Sequence, residues 1–393
     1  MPVRTFAAPP TGQPSHDTTD VCIVGAGMAG ATLAFTLARA GLRVTLVDMR
    51  DRYPDCFKAE KIEPDQAECL QCFGLLETLR AVSAPIRAVQ VGRRGKIVDC
   101  LDIEQLGAAY HDMANAVRNV LPAAVTCVLG RATHLRLSNE RQLVTLADGS
   151  TIDARLVALA SGTGGKLHDA LAIVRRNVHE EHSIAFGFSI APAAGGTFPF
   201  DAVNYLPDGL DDAIDFLTLF NFPTGMRANL FAYLPARDSR VKAIRRDAVA
   251  EIGRMMPGLD RLIGAWSVTS KVEAYPIALW VSEETGRAGL VLVADAFQSV
   301  CPATGTGLTK VLTDVGVLTE LIPVWLATPG LGADKTSAYY ADARKRKSDR
   351  ASLNSALYRR RVGTDRGLRM RLHRAKCLAI TKWQGRRRTL GMA

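Results

Sequence analysis

The first residues able to do chemistry lie near the amino terminus, in Gly25-Ala26-Gly27-Met28-Ala29-Gly30, with an acid, Asp48, further along. An apolar run, Val21 to Val24, precedes the glycines, and a second stretch, Ala31 to Ala40, follows them up to Gly41. Another apolar run, Val44 to Val47, then delivers Asp48. Strand, GxGxxG, helix, strand and acid is the context that a dinucleotide fingerprint requires. Gly25 allows the tight turn, Gly27 lets the backbone approach a pyrophosphate, and Gly30 lets helix and strand pack closely. The N–H groups around Ala26, Met28 and Ala29 open a helix, whose N-terminal partial charge favours phosphate. Asp48, with Arg50 just beyond it, ends the second strand where a carboxylate accepts hydrogen bonds from a ribose, and no basic residue replaces it to receive a 2′-phosphate. The pattern predicts that the chain binds an adenine dinucleotide.

A second constellation lies far downstream. An apolar run from Gly289 to Val293 leads to Ala294-Asp295-Ala296, and Pro302-Ala303-Thr304-Gly305-Thr306-Gly307-Leu308 opens a helix that runs to about Leu321. Between the two constellations stands Lys58-Ala59-Glu60-Lys61-Ile62-Glu63-Pro64. Taken with the first glycine turn, this set resembles the flavin monooxygenases of the p-hydroxybenzoate hydroxylase class, over most of residues 19–325. The resemblance implies FAD. It places Asp295 on the ribityl chain, and Pro302, Gly305, Thr306, Gly307 and Leu308 in the turn under the isoalloxazine ring. Lys58, followed by Ala59, falls where the family's Arg-Ala-Gly-x-Leu-Glu stretch has its flavin-contacting arginine. Residues 155–165 are similar to the strand that closes the FAD domain in the wider superfamily, which adds Ser161 and Gly162. Backbone N–H groups at a helix start can stabilise negative charge on a reduced flavin, so the physical reading agrees.

Three departures stand out. The family's Gly-Asp is Ala294-Asp295, which keeps the aspartate. Its GQGxN turn reads Gly305-Thr306-Gly307-Leu308-Thr309. Its Asp-Gly motif, expected near residue 162, is replaced by Ser161-Gly162-Thr163-Gly164-Gly165, and that change bears on how NAD(P)H is used.

The chemistry implied by the resemblance is hydroxylation. NAD(P)H reduces FAD, dioxygen adds to give a flavin hydroperoxide, and one oxygen passes to an apolar or aromatic substrate in a water-poor pocket. Phe186, Phe188, Phe216, Leu219, Phe220, Phe231, Tyr233 and Tyr275 suit such a pocket, although strand alternation turns about half of any such set away from it. His182, Tyr205 and Tyr275 are the candidates for activating a phenol as general base or hydrogen-bond partner, each with a structural role as the plainer explanation. Cys301, beside the flavin turn, reads as a small buried residue. No metal site is expected, because the Cys69 and Cys72 pair has no second pair or histidines to complete it. Two relatives of this fold remain as alternatives. A flavin halogenase lacks support, since Trp280 stands alone where that family has Trp-x-Trp-x-Ile-Pro. A flavin reductase or desaturase of isoprenoid lipids is the stronger rival, and a flavin-binding interaction module without turnover is the weakest.

The elements that must hold these residues suggest an α/β protein: a discontinuous Rossmann-type FAD-binding domain, an inserted antiparallel substrate domain and a helical C-terminus. The FAD-binding domain is expected over residues 19–84, 106–178 and 286–330, and the substrate domain over 85–105 and 179–285. Within the insertion the pattern predicts one helix from Val241 to Met256 and a strand over about Ser267 to Tyr275. Residues 1–18, polar and proline-containing without an apolar core, are expected to be a disordered tail rather than a secretory signal.

The chain has 393 residues, 48% of them hydrophobic, and no run reaches the ~18 apolar residues of a membrane span. Eight dispersed cysteines suggest a reducing, cytoplasmic setting. The formal charge of +10 is concentrated in the tail: Arg344 to Arg388 holds 17 Lys and Arg against only Asp349 and Asp365, so the remainder is net acidic. Residues 331–393 form a basic helical region, with one helix expected from Asp334 to Tyr358. A second, over Arg366 to Lys382, places Leu368, Leu372, Ala375, Ala379 and Trp383 on one stripe. Such a helix suits an anionic membrane surface, peripherally at its inner face, or an acidic carrier protein; equally, its stripe packs on the acidic body. Nucleic acid is disfavoured, because no recognition motif accompanies the charge.

Overall fold

The computed structural model describes Phe6 and residues 19–389. The chain begins with β1 (Thr19–Val24), α1 (Met28–Arg39), β2 (Val44–Asp48), a short β3 (Ala59–Ile62), α2 (Pro64–Phe73) and α3 (Leu76–Arg80). A long hairpin, β4 (Ala84–Arg93) and β5 (Lys96–Ala109), leads to α4 (Tyr110–Asn119) and β6 (Val125–Leu129). Then come β7 (Ala132–Arg136), β8 (Gln142–Leu146), β9 (Thr151–Leu159) and α5 (Lys166–Ala170). The inserted half contains β10 (Arg175–Pro192), β11 (Ala202–Tyr205), β12 (Ile214–Phe222) and β13 (Gly225–Ala232). It continues with α6 (Ser239–Arg246), α7 (Ala248–Met255), α8 (Leu259–Ile263), β14 (Trp266–Val268) and β15 (Glu273–Ser282). After β16 (Leu290–Leu292), two 3-10 turns, Ala294–Ala296 and Pro302–Thr304, precede α9 (Thr306–Leu326). The last helices are α10 (Ala333–Ala341), α11 (Ala343–Thr364) and α12 (Leu368–Thr389).

Among the described residues these strands make two sheets. The first has seven strands in the order β6-β2-β1-β9-β8-β7, with β16 beside β9. Its β6, β2, β1, β9 and β16 run parallel. Parallel strands covered on both faces read as continuous apolar runs, which is why Val21 to Val24 and Val44 to Val47 lack alternation. The second sheet has nine strands in the order β14-β10-β13-β12-β11-β4-β5-β3, with β15 beside β10. One face buries Phe188, Val203, Leu217 and Leu230 against Ile244, Ile252 and Met255 of α6 and α7. Phe216, Phe220 and Phe231 line the cavity on the other side.

Several elements differ from the sequence expectations. β3 lies within the segment assigned to the FAD-binding domain, yet it pairs with the end of β5 (Ala59 opposite Ala109) and so completes the second sheet. The single helix expected from Val241 to Met256 is two, because Asp247 is extended at φ −147° and caps α7 by accepting the Ala250 N–H at 3.0 Å. The helix expected from Asp334 breaks at Asp342, which caps α11 by accepting the N–H groups of Arg344 and Lys345. The strand expected over Ser267 to Tyr275 divides into β14 and β15. The expected tail, residues 1–18, lies outside the described residues apart from Phe6, which is buried with the Arg118 guanidinium 5.1 Å from its ring centre. On α12 the anticipated stripe does not pack inward: Leu368, Leu372 and Trp383 are exposed. Arg374 instead ties the helix to the carbonyls of Val362 and Asp365, and Arg388 to Asp99.

Candidate functional site

The β1–α1 turn is shaped as a phosphate cradle. Gly25 has φ +105°, and a Cβ there would lie 2.5 Å from the Ala160 carbonyl oxygen. A Cβ on Gly30 would fall on the Gly25 carbonyl. Gly27, by contrast, faces only side-chain atoms of Tyr110 and Tyr53, at 3.5 and 3.7 Å. α1 has no side-chain cap and no acid in its first turn, an arrangement that favours an anionic ligand at its start. The Ser161 hydroxyl, at the end of β9 beside this turn, is buried without a hydrogen-bond partner. A glycine cradle, an uncapped helix start and an orphaned hydroxyl fit the pyrophosphate of FAD.

Asp48 is held in place by the backbone around it. Its Oδ2 accepts the Ala26 N–H at 2.7 Å and its Oδ1 accepts the Arg50 N–H at 3.0 Å. Arg118, buried on α4, donates through Nε to the Ala26 carbonyl and through Nη1 to those of Arg50 and Asp51. Its Nη2 lies 3.1 Å from Asp48 Oδ2 but out of hydrogen-bond alignment. Arg118 thus fixes both the glycine turn and the acid. Nothing in the local sequence marked it, because the contact spans α4 and the β1–α1 turn. Arg50 takes part through its backbone.

The second constellation surrounds a cavity of about 530 Å³. Of the cofactor candidates, Met28, Lys58, Ala59, Asp295, Pro302, Gly305, Gly307 and Leu308 line it. Gly305 turns the chain at φ +67°, a conformation that favours glycine, so that the uncapped start of α9 faces the cavity. Thr306 departs from this set, its hydroxyl engaged by those of Thr304 and Ser352. Phe216, Phe220, Phe231, Tyr275 and Trp280 line the cavity from the substrate side.

Its charged groups shape one another. Burial pushes the Asp295 carboxyl up, opposed by Lys58 and Lys310. Burial would lower the Lys58 ammonium, but Asp295, with Tyr53, Tyr275 and Glu60, outweighs it and the net direction is up. Glu60 is a cavity-lining acid that sequence reasoning passed over. It keeps a little accessible surface, yet its enclosure pushes its carboxyl up to about 7, with Lys58 pulling down and Asp295 pushing further up. The available signal was an acid standing where the family stretch has glycine.

Three further residues were missed. Asn204, Thr218 and Asn229 sit opposite one another on β11, β12 and β13, a polar row on an otherwise aromatic wall. Asn204 Oδ1 and Thr218 Oγ1 are buried without hydrogen-bond partners, a cost that a bound polar group can remove. Only strand register could have revealed this row.

The catalytic candidates separate. Tyr275 lines the cavity mouth, 38% exposed. Tyr205 is fully buried in the core of the second sheet, accepting the Gly95 N–H at 3.0 Å. His182 is buried outside the cavity lining, its Nε2 3.2 Å from the Ala356 carbonyl and its Nδ1 3.0 Å from the Ser183 hydroxyl. Burial lowers it to about 4, which keeps the ring neutral. Nε2 therefore donates to Ala356, and the chain continues through Ser183 to Cys301, 3.6 Å away.

Residues 18–178 match the "FAD binding domain" family. The chain is 26% identical over 353 residues to ubiquinone hydroxylase UbiL of Rhodospirillum rubrum, covering 80% of this chain and 74% of the relative. It is 24% identical over 327 residues to 6-hydroxynicotinate 3-monooxygenase of Bordetella bronchiseptica, covering 77% and 82%. Its fold is that of p-nitrophenol 4-monooxygenase PnpA from Pseudomonas putida, with a TM-score of 0.76, 17% identity and 94% of both chains covered.

Proposed function

We propose that this chain, an FAD-dependent monooxygenase of the p-hydroxybenzoate hydroxylase class, hydroxylates a small aromatic molecule held against the wall of β11, β12 and β13. The observation that carries the reading is a single cavity in which Lys58, Asp295 and the start of α9 face that aromatic wall. Bound FAD, reduced by NAD(P)H, supplies the activation of dioxygen.

The protein's own residues position and protect. Asp48 and the glycine turn hold the adenosine and pyrophosphate end, and Asp295 holds the polyol. The N–H groups opening α9 favour negative charge at the ring end, with Lys58 adding a positive charge. Phe216, Phe220 and Phe231 exclude water and offer faces for ring stacking, while Asn204, Thr218 and Asn229 bind the substrate's polar substituent. Glu60, whose carboxyl burial pushes up to about 7, accepts the proton of a phenol as the ring becomes electron-rich. Steady-state NAD(P)H consumption by the holoenzyme, measured across a panel of phenols and aminophenols, tests the proposal. Substrate-stimulated turnover with a hydroxylated product is expected; stimulation by no aromatic compound contradicts it.

No helix among the described residues is long and apolar enough to cross a membrane. α12 instead presents Leu368, Leu372 and Ile380 to solvent among Arg369, Lys376 and Lys382. Exposed apolar residues within a basic helix support peripheral docking on an anionic membrane, with an acidic carrier protein as the rival partner.

A further inference from the structure

A second cavity, of about 820 Å³, lies away from the FAD-binding residues, between residues 206–215 of the inserted domain and helices α11 and α12. Six arginines line it: Arg93, Arg94, Arg359, Arg366, Arg371 and Arg374. Three acids, Asp208, Asp211 and Asp215, oppose them, so the lining carries a cationic excess.

The pairing within the lining is uneven. Arg359 and Asp215 form a bidentate pair at 2.9 and 3.0 Å, and this one is firm. Arg366 meets Asp211 at 3.4 Å with side chains 71% and 92% exposed, a contact that water screens to little value. Arg94 stands 3.6 Å from Asp208 and is itself largely exposed. Arg374 spends one nitrogen, Nη1, on two carbonyls. Arg371 faces the same space on the next turn of α12. Guanidinium groups with donors to spare recognise carboxylate or phosphate oxygens. Between them the surface is apolar, from Leu206, Ile214, Val362 and Leu378.

We propose that this cavity binds an amphipathic anion: a phosphate or carboxylate head on Arg371, Arg374 and Arg94, and an aliphatic body along Leu206, Ile214, Val362 and Leu378. The site adjoins the catalytic cavity through one wall. Arg359, paired with Asp215 on the near side, lies 4.7 Å from the ring centre of Phe216, which lines the catalytic cavity. The two cavities are separate spaces, so an occupant here does not displace the aromatic substrate.

Titration calorimetry of the holoenzyme with octyl phosphate tests the proposal, and its readout does not depend on turnover. One saturable site per chain is expected, weakened at least about tenfold in Arg371→Gln/Arg374→Gln, the loss of a charge-assisted contact. Inorganic phosphate and octyl glucoside, each carrying half of the recognised chemistry, should bind at least about tenfold more weakly than octyl phosphate. Both substituted positions lie on α12, and unchanged flavin content and circular dichroism establish that the variant folds; Arg94→Gln, on the opposite wall, is the second variant. Phosphatidylglycerol vesicles distinguish the sources: binding that falls in the same variants identifies a lipid headgroup, and binding of octyl phosphate alone a free amphiphile. Equal affinity in parent and both variants, or competitive displacement by a ligand of the catalytic cavity, overturns the proposal.

Discussion

Asp314 on α9 accepts the backbone N–H of Ala294 at 2.8 Å, and so holds the turn that presents Asp295. Ala294 has φ +53°, a left-handed conformation that an alanine adopts at a cost and that a glycine would adopt freely. Asp314 is in turn paired with Lys345 of α11 at 3.0 and 3.2 Å, with both side chains fully buried. Lys345 and Lys310 both reach Asp349. A helix from the basic C-terminal region therefore braces the turn that carries Asp295 through a buried ion network.

Removing one partner of that network leaves a buried charge without compensation. Lys345→Met should destabilise the protein by about 3–5 kcal/mol, and Lys345→Met with Asp314→Asn should recover part of the loss. Ala294→Gly should stabilise it by about 1 kcal/mol, by releasing the left-handed alanine. Urea unfolding of each variant measures all three, and a parental midpoint for Lys345→Met would refute the bracing role.

Asp295→Ala should lower flavin affinity about ten- to a hundredfold, the worth of a charged hydrogen-bond partner. Flavin released on dilution or dialysis is the readout, with circular dichroism of the apoprotein as the check on folding. Flavin content equal to that of the parent at low protein concentration would sink the assignment of Asp295.

Glu60 makes a prediction about pH. Its folded value of about 7 lies above the ordinary glutamate value of 4.5. Between those two values the folded state keeps a proton that the unfolded state releases, so stability falls as pH rises through this window. Glu60→Gln should therefore raise Tm progressively from pH 4.5 to 7 and by a constant amount above. In catalysis the sign reverses, since the base must be ionised: kcat/KM of the parent should climb through a limb near 7 that the variant lacks. An unaltered limb in Glu60→Gln would remove this residue from the proton chemistry.

Much of the dinucleotide end was legible in the sequence, because its determinants are local. A glycine triplet, an apolar strand on either side and a terminal acid lie within one βαβ unit, and each residue's place in the turn follows from its spacing. The Pro302–Leu308 turn was found through the family resemblance, and the structure brings Pro302, Gly305, Gly307 and Leu308 to the cavity wall. Arg118 was not, because its contacts depend on where α4 lands over the glycine turn. The row of Asn204, Thr218 and Asn229 depends on the register of three strands, which no single segment encodes. Tyr205 and Tyr275 carry the same side chain, and strand alternation alone could not tell that one faces the core and the other the cavity. The break between α6 and α7 was hidden by a continuous helical period, which Asp247 interrupts by capping the second helix.

The outer face of α12 makes a separate prediction. Binding to phosphatidylglycerol vesicles should exceed binding to phosphatidylcholine vesicles and fall with salt, and Leu368→Ser/Leu372→Ser should weaken it several-fold, on the order of the burial of two leucines. Cosedimentation measures it. Equal recovery with neutral vesicles, or no effect of the double substitution, would rule out the membrane in favour of a protein partner.

The central claim is that this cavity transfers oxygen from dioxygen to an aromatic ring. Turnover of the holoenzyme with NAD(P)H and its best stimulating phenol under labelled dioxygen, with mass spectrometry of the product, tests it most directly. One labelled oxygen in each hydroxylated product is the expected result. NAD(P)H oxidation that yields only hydrogen peroxide, or a product oxygen drawn from water, would contradict it.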